Sequence, residues 1–466
     1  MEEKNVLQQA KERLLRDKTP GPVRAGEAEL ARAAEYCEGY KTYLDRGKTE
    51  REAVTYTVEL CEAQGFVPFE EGKIYAPGDK VYMINRDKAI VLAVIGKKPV
   101  SQGVHLAAAH IDSPRLDLKP VPLYEKSGLA YLDTHYYGGI RKHQWLTIPL
   151  ALHGRVVKGD GTCVDLCIGE KDDEPRFCIT DLLPHLSAQQ NGEMLGRAYS
   201  GEALDVLSGS YPYRCMDGSD AVKVHMLALL NEKYGITEED FLSAELSMVP
   251  AARAMDIGFD RSMIGAYGHD DRVCAYPALT ALLAVDAPEV TCMTMLVDKE
   301  EIGNDGVTGM KSDFLRHFVA DLAEMQNVSE RSVFRHMDCM SADVNAAYDP
   351  MFANVFEAAN SSYMNEGVVV TKYTGSRGKS GASDASAEYM GKVRKILNDA
   401  GVLWQIGELG KVDVGGGGTV AKDVARMNVD VVDVGVPVMS MHAPLEIVSK
   451  LDVYMTAKAF EAYFRS

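Results

Sequence analysis

Residues Thr291–Gly303 read TCMTMLVDKEEIG, an apolar run that breaks abruptly into charge. Its first half, with Met293, Met295, Leu296 and Val297, has the composition of a short buried strand. Asp298, Lys299, Glu300 and Glu301 follow, and then Gly303. Adjacent carboxylates at the end of a buried strand are costly unless something compensates their charge. In an open α/β sheet, the carboxyl ends of the strands are also where ligands bind. A metal ion would compensate the charge, with one Glu as ligand and its neighbour free as a base. In isolation a solvated charged loop is the stronger explanation of the stretch, so the case for chemistry depends on partners elsewhere.

Working outward, the pattern predicts helices over 272–285, 314–327 and 385–400, and strands over 291–297, 368–373, 429–434 and 436–440. A helix over 444–463 closes the chain. Towards the N-terminus, 1–65 reads as helical, with Glu27–Arg46 and Thr49–Gln64 carrying apolar residues at spacings of three and four. Thr49 followed by Glu52 forms a capping-box pattern. Short apolar runs at 80–85, 89–95 and 105–110 read as strands. Between Pro114 and about Pro250 the character changes to frequent turns and short strands (147–152 and 162–168), with one helix near 222–233. The expected architecture is α/β, with a β-rich module at 114–252 inserted between 1–113 and 253–466.

A chain of 466 residues, 46% hydrophobic and 25% charged, suits a globular protein with a large core. No apolar run is long enough for a membrane span, and the charged N-terminal stretch lacks a secretory signal's apolar core. The nine scattered cysteines suggest reduced, mostly buried thiols; Cys163 and Cys167 lie closest, but no second pair completes a zinc ribbon. The expected location is cytoplasmic. The formal net charge of −18 argues against a general nucleic-acid binder.

Four further segments place metal-ligating residues where a predicted strand ends or a helix begins. His110-Ile-Asp112 follows an apolar run, and residues two apart on a strand share a face. Asp112 can therefore support the imidazole of His110. Gly268-His269-Asp270-Asp271 precedes a helix, where an Asp can simply cap; Asp271 suits that role better than Asp270. Ser341-Ala342-Asp343 and Met441-His442 each follow a strand. Each segment has a routine explanation, but their ends converge on one sheet edge. Two His with several carboxylates are the ligand set for a pair of zinc-like ions about 3.5–4 Å apart.

The order His-x-Asp, Gly-His-Asp-Asp, Asp-Lys-Glu-Glu-Ile-Gly, Ser-Ala-Asp, Met-His-x-Pro-x-Glu resembles the M18 family of dizinc aminopeptidases, the aspartyl aminopeptidase family. The resemblance covers nearly the whole chain. It implies an α/β/α peptidase domain interrupted by a β-rich dimerisation domain, and assembly into dimers and tetrahedral dodecamers. It implies two Zn2+ per subunit, with Mn2+ or Co2+ as substitutes. Carried over position by position, Asp270 bridges the ions, His110 and Asp343 hold one, and Glu301 and His442 hold the other. Glu300 is the implied general base and Asp112 the support of His110. The implied reaction removes N-terminal residues from peptides with a free N-terminus, acidic residues being the family's association.

The chain departs from the family at Ala346, where the pattern has His, and at Thr371, where it has Lys, with Lys372 one position on. The insertion keeps His185, but Gln189 replaces a second His. Asp270-Asp271-Arg272 is similar instead to the related M42-type aminopeptidases. Lys372, Arg377 and Lys379 are the basic candidates for reading an acidic side chain, and Gly417, within Gly415–Gly418, for close backbone approach to a peptide. His185 is the candidate for reaching a neighbouring subunit's site. The alternatives are an aminopeptidase of neutral-residue specificity, a deacylase on the same scaffold, and a non-catalytic assembly protein.

Overall fold

The computed structural model describes residues 2–466, with side chains from residue 6 onward; Met1, the start of the expected helical stretch and first segment, lies outside the described residues. Helices Gly21–Arg46 and Glu50–Glu62 follow the short helix Glu2–Leu14. The capping box forms, with Glu52 accepting from the Thr49 backbone N–H at 3.0 Å and Thr49 Oγ1 accepting from Glu52 N–H at 3.4 Å.

A nine-stranded sheet organises the molecule. Its order is Val67–Pro68, Lys80–Asn85, Ala89–Val94, Thr291–Val297, Val104–His110, Met337–Ser341, Asp430–Gly435, Val368–Thr371 and Trp404–Ile406. Every residue of Thr291–Val297 is buried. The strand is apolar except at Thr291 and Thr294 because both of its faces are covered. Cys292 and Leu296 join a core with the helices Gly21–Arg46, His269–Leu283, Ala387–Asp399 and Lys450–Phe464. Met293, Met295 and Val297 face the helix Phe314–Met325, where burying a side chain such as Phe318 or Leu322 stabilises by about 1.5–3 kcal/mol.

The four central strands, Thr291–Val297, Val104–His110, Met337–Ser341 and Asp430–Gly435, run parallel, so their carboxyl ends share one edge. A five-stranded sheet, Met255–Ile257, Met263–Ala266, Glu446–Ser449, Pro437–Met439 and Asn345–Ala346, supports the loops leaving it. The helix expected over 444–463 is shorter in the structure, running Lys450–Phe464. Glu446–Ser449 is a strand paired on both sides, and the helix starts at Lys450 behind Ser449, whose Oγ accepts from the Leu451 and Asp452 N–H groups.

Residues 115–250 carry a six-stranded antiparallel sheet: Cys163–Ile168, Leu150–Val157, Ala244–Pro250, Arg115–Lys126, Leu129–Tyr137 and Val206–Gly209. The strand expected at 147–152 instead starts at Leu150, since Thr147 has φ +59°. The long hairpin Arg115–Tyr137 was not legible as strands. Its signal is Ser127-Gly128, where both residues have positive φ, as a two-residue hairpin turn requires.

Candidate active site

His110 ends its strand opposite Val297, so the two chain segments that follow leave the same edge side by side. Asp112 fastens them together. Its Oδ1 accepts from the Glu300 N–H at 3.2 Å, and its Oδ2 from the Glu301 N–H at 3.2 Å and from Tyr137 Oη at 2.8 Å. Fully buried, Asp112 thereby fixes the backbone of both glutamates.

Both histidines turn the same nitrogen inward. His110 Nδ1 lies 3.0 Å from the Asp112 carbonyl oxygen, and His442 Nδ1 lies 2.7 Å from the Gly139 carbonyl oxygen. A carbonyl only accepts, so each Nδ1 carries the proton and each Nε2 faces the carboxylates. His110 Nε2 is 3.1 Å from Asp270 Oδ1 and 4.0 Å from Glu300 Oε2. His442 Nε2 is 3.1 Å from Asp270 Oδ2 and 3.5 Å from Glu301 Oε2. Asp270 thus offers one oxygen to each imidazole. Glu446 holds the arrangement from behind, accepting from the Asp270 N–H at 3.1 Å and the His442 N–H at 2.7 Å.

Ligand atoms of His110, Asp270 and Asp343 lie within 4.8 Å of one another, and so do those of Asp270, Glu301 and His442. The two sets share Asp270. Glu301 Oε1 and Asp343 Oδ2 are buried without a hydrogen-bond partner, a state that a coordinated cation relieves. Burial first, and then the Asp270 charge, push the Glu301 carboxyl up, while burial and the charge of Asp271 push up Asp343. Burial pushes Glu300 up to about 7, with His110 opposing and Asp270 and Asp112 reinforcing the shift. Burial also opposes ionisation of Asp270, but bonds from His110 and His442 outweigh it and hold the carboxyl below its usual range. The residues fit divalent cations. The side that stays open is at His442, whose side chain is 33% exposed.

Asp271 stands at the start of the regular helix, since the backbone angles of Asp270 and Asp271 are non-helical, but its fully buried carboxylate takes no backbone N–H of the first turn. The Asp270–Asp271 peptide is cis. The substrate candidates are placed differently from the ligands. Lys372 and Lys379 both grip Asp384, the latter at 3.0 Å, and Lys379 also stacks over the Tyr373 ring. Arg377 lines a small cavity with Lys379 and Glu408, and Gly417 pairs with Gly375 in a two-stranded ribbon. His185 is exposed on the turn Pro184–Leu186, and no hydrogen bond or ion pair among the described residues ties it to the cluster.

Sequence reasoning missed Tyr137, Gly138 and Gly139, which read only as a turn. A Cβ on Gly138 would stand 3.2 Å from the Glu301 side chain, so the close approach requires glycine. It also missed Lys422, whose charge acts on Glu300 and whose Nζ packs against Gly418. Glu446 stood within the quoted Met-His-x-Pro-x-Glu motif but carried no role.

Comparison with known proteins gives a consistent result. The family model described as aminopeptidase I zinc metalloprotease (M18) matches residues 43–464. A Clostridium acetobutylicum protein, "Probable M18 family aminopeptidase 1", is 47% identical over 435 residues, covering 92% of this chain and 94% of that protein. The crystal structure of an M18-family aminopeptidase from Thermotoga maritima superposes with TM-score 0.92 at 41% identity, covering 97% of this chain and 99% of that one. A Saccharomyces cerevisiae mApe1 dodecamer shares the fold, with TM-score 0.75 at 20% identity over 94% of this chain and 97% of that one.

Proposed function

The chain belongs to the M18 family of zinc metalloproteases and is a metalloaminopeptidase, and from that premise we propose how its own residues carry the reaction. The observation that supports the proposal is the pair of ligand sets sharing Asp270. His110 and Asp343 would hold one zinc ion and Glu301 and His442 the other, with Asp270 between them; Mn2+ or Co2+ can substitute. Bound there, the ions would acidify a shared water and polarise the scissile carbonyl.

Glu300 is the general base. Its carboxylate reaches within 4.0 Å of His110 Nε2 without belonging to either ligand set, and burial raises its proton affinity towards neutrality. A group poised there takes a proton from water and returns it to the leaving amine. Asp112 positions Glu300 and Glu301 through their N–H groups and supports His110 Nδ1 at 3.2 Å. A substrate's free ammonium would find the cluster's carboxylates, which favours exopeptidase action.

For the N-terminal residue, the pairing of Lys372 and Lys379 with Asp384 favours neutral side chains over acidic ones. Both lysines share that one carboxylate, so a substrate carboxylate would compete with Asp384 for them. The segment 114–252 is the inserted dimerisation domain, supported by its separate sheet and its own core around Trp145 and Leu152. Its apolar cavity of about 680 Å³, walled by buried residues such as Leu123 and Leu132 and opening beside the exposed Leu229, suits burial between subunits of a dimer and of a dodecamer like that of the yeast relative. Free thiols throughout support a cytoplasmic location, and among the described residues no helix is long and apolar enough to cross a membrane.

Hydrolysis of a panel of aminoacyl chromogenic substrates, before and after chelation and zinc readdition, tests the reading. Chelator-sensitive release favouring neutral residues is expected. Preference for Asp and Glu would overturn the specificity, and preference for N-acyl substrates the exopeptidase account.

A further inference from the structure

Remote in sequence from that cluster, Glu52, His153 and Cys167 bring a carboxylate oxygen, an imidazole nitrogen and a thiol within 4.8 Å of one another. His153 and Cys167 stand directly opposite on neighbouring antiparallel strands, so their side chains leave the same face. Glu52 comes from the first turn of the helix Glu50–Glu62. Its Oε2 is held by the Thr49 N–H at 3.0 Å and by Thr49 Oγ1 at 3.1 Å, which directs Oε1 at His153 Nδ1, 2.8 Å away. His153 is buried, and its other nitrogen is fixed 3.0 Å from Glu170 Oε1, itself bonded by Lys48 at 2.7 Å. A carboxylate on the far nitrogen is what orients a metal-ligating histidine.

We propose that Glu52, His153 and Cys167 form a further metal site, separate from the aminopeptidase centre, that takes a thiophilic divalent cation such as zinc. Sulfur, imidazole nitrogen and carboxylate oxygen are zinc's ligands, and a neighbouring cavity of about 270 Å³ leaves the fourth position to water. The arginines lining that cavity are already neutralised: Arg46 by Glu59, Arg51 by Glu245, and Arg155 by Asp165 and Asp87. The charges balance. Without a cation, His153 is an imidazolium between two carboxylates and Cys167 is a thiol. Binding displaces the Nδ1 proton and the thiol proton to solvent, so thiolate and Glu52 carboxylate cancel the double charge while Glu170 stays paired with Lys48. Such an ion would staple the helix Glu50–Glu62 to the six-stranded sheet. The site also gives Cys167 a partner set that spacing alone did not supply.

Cobalt loading of the full-length protein tests this directly. The ligand sets sharing Asp270 contain no cysteine, so a thiolate-to-cobalt charge-transfer absorption in the near ultraviolet reports on the new site alone. The band is expected in the wild type and in Cys163→Ser, and is lost in Cys167→Ser together with one cobalt ion per chain. Both cysteines are exposed, so neither serine variant disturbs the core. Absence of the band in the wild type, its persistence in Cys167→Ser, or its loss in Cys163→Ser would overturn the proposal.

Discussion

Glu446 touches no ligand atom, yet one carboxylate fixes the backbone under both Asp270 and His442. Groups that orient ligands in this way change metal affinity by roughly 10–100-fold when altered. Glu446→Gln, which cannot accept at both oxygens, should weaken zinc binding by about that factor in competition with a chromogenic chelator, while kcat at saturating zinc changes little. Equal loss of kcat at saturating zinc would make Glu446 part of the chemistry instead. Glu300→Gln should do the reverse, lowering turnover by about 10²–10⁴-fold with metal content unchanged. Loss of metal in that variant would make Glu300 a ligand. At this scale the residues gathered around Asp270 could be picked out because each is a His or carboxylate where an apolar run ends or a helix begins. Tyr137, Gly139 and Lys422 could not, because a tyrosine, a glycine carbonyl and a lysine on a short helix acquire meaning only from what the fold sets beside them.

At the scale of elements, Asp256 joins pieces far apart in sequence. It lies in the strand Met255–Ile257 and binds Lys450 at 2.8 Å, Lys41 at 3.1 Å and Arg261 at 2.7 Å. Burial raises its pKa, but the three cations outweigh it and hold the carboxyl well below the ordinary range. A depressed folded-state pKa gives stability that is present above the unfolded value near 4 and lost as pH falls below it. Asp256→Asn should therefore destabilise by about 2 kcal/mol at pH 7, with the gap to the wild type closing below about pH 4 in urea unfolding. A gap independent of pH would assign the loss to packing. The buried strand Thr291–Val297 was legible to the residue because both faces are covered. The strand Glu446–Ser449 was not, since a paired four-residue strand running straight into a helix presents one continuous amphipathic pattern.

At the scale of the molecule, residues 115–250 return to the site they interrupt, supplying Tyr137 Oη to Asp112 and the Gly139 carbonyl to His442. The change of texture along the sequence marked that segment, but its contribution to the site depends on the register of the hairpin Arg115–Tyr137, which composition does not encode. Cations that bind only the folded state stabilise it by about 2.7 kcal/mol per site at a hundredfold excess over Kd. Chelation should therefore lower Tm and zinc should restore it; an unchanged Tm would mean that the carboxylates are compensated without metal. Light scattering should give a particle larger than one 51.0 kDa chain, and a monomer would leave the apolar cavity of the six-stranded sheet unexplained.

Asp270 is proposed to lie between two ions, since both ligand sets share its carboxylate. Anomalous diffraction from zinc-loaded crystals, collected on either side of the zinc edge, tests it most directly. Two peaks flanking the Asp270 carboxylate are expected, one beside His110 and Asp343 and the other beside Glu301 and His442. A single peak, or a pair that excludes Asp270, would contradict it.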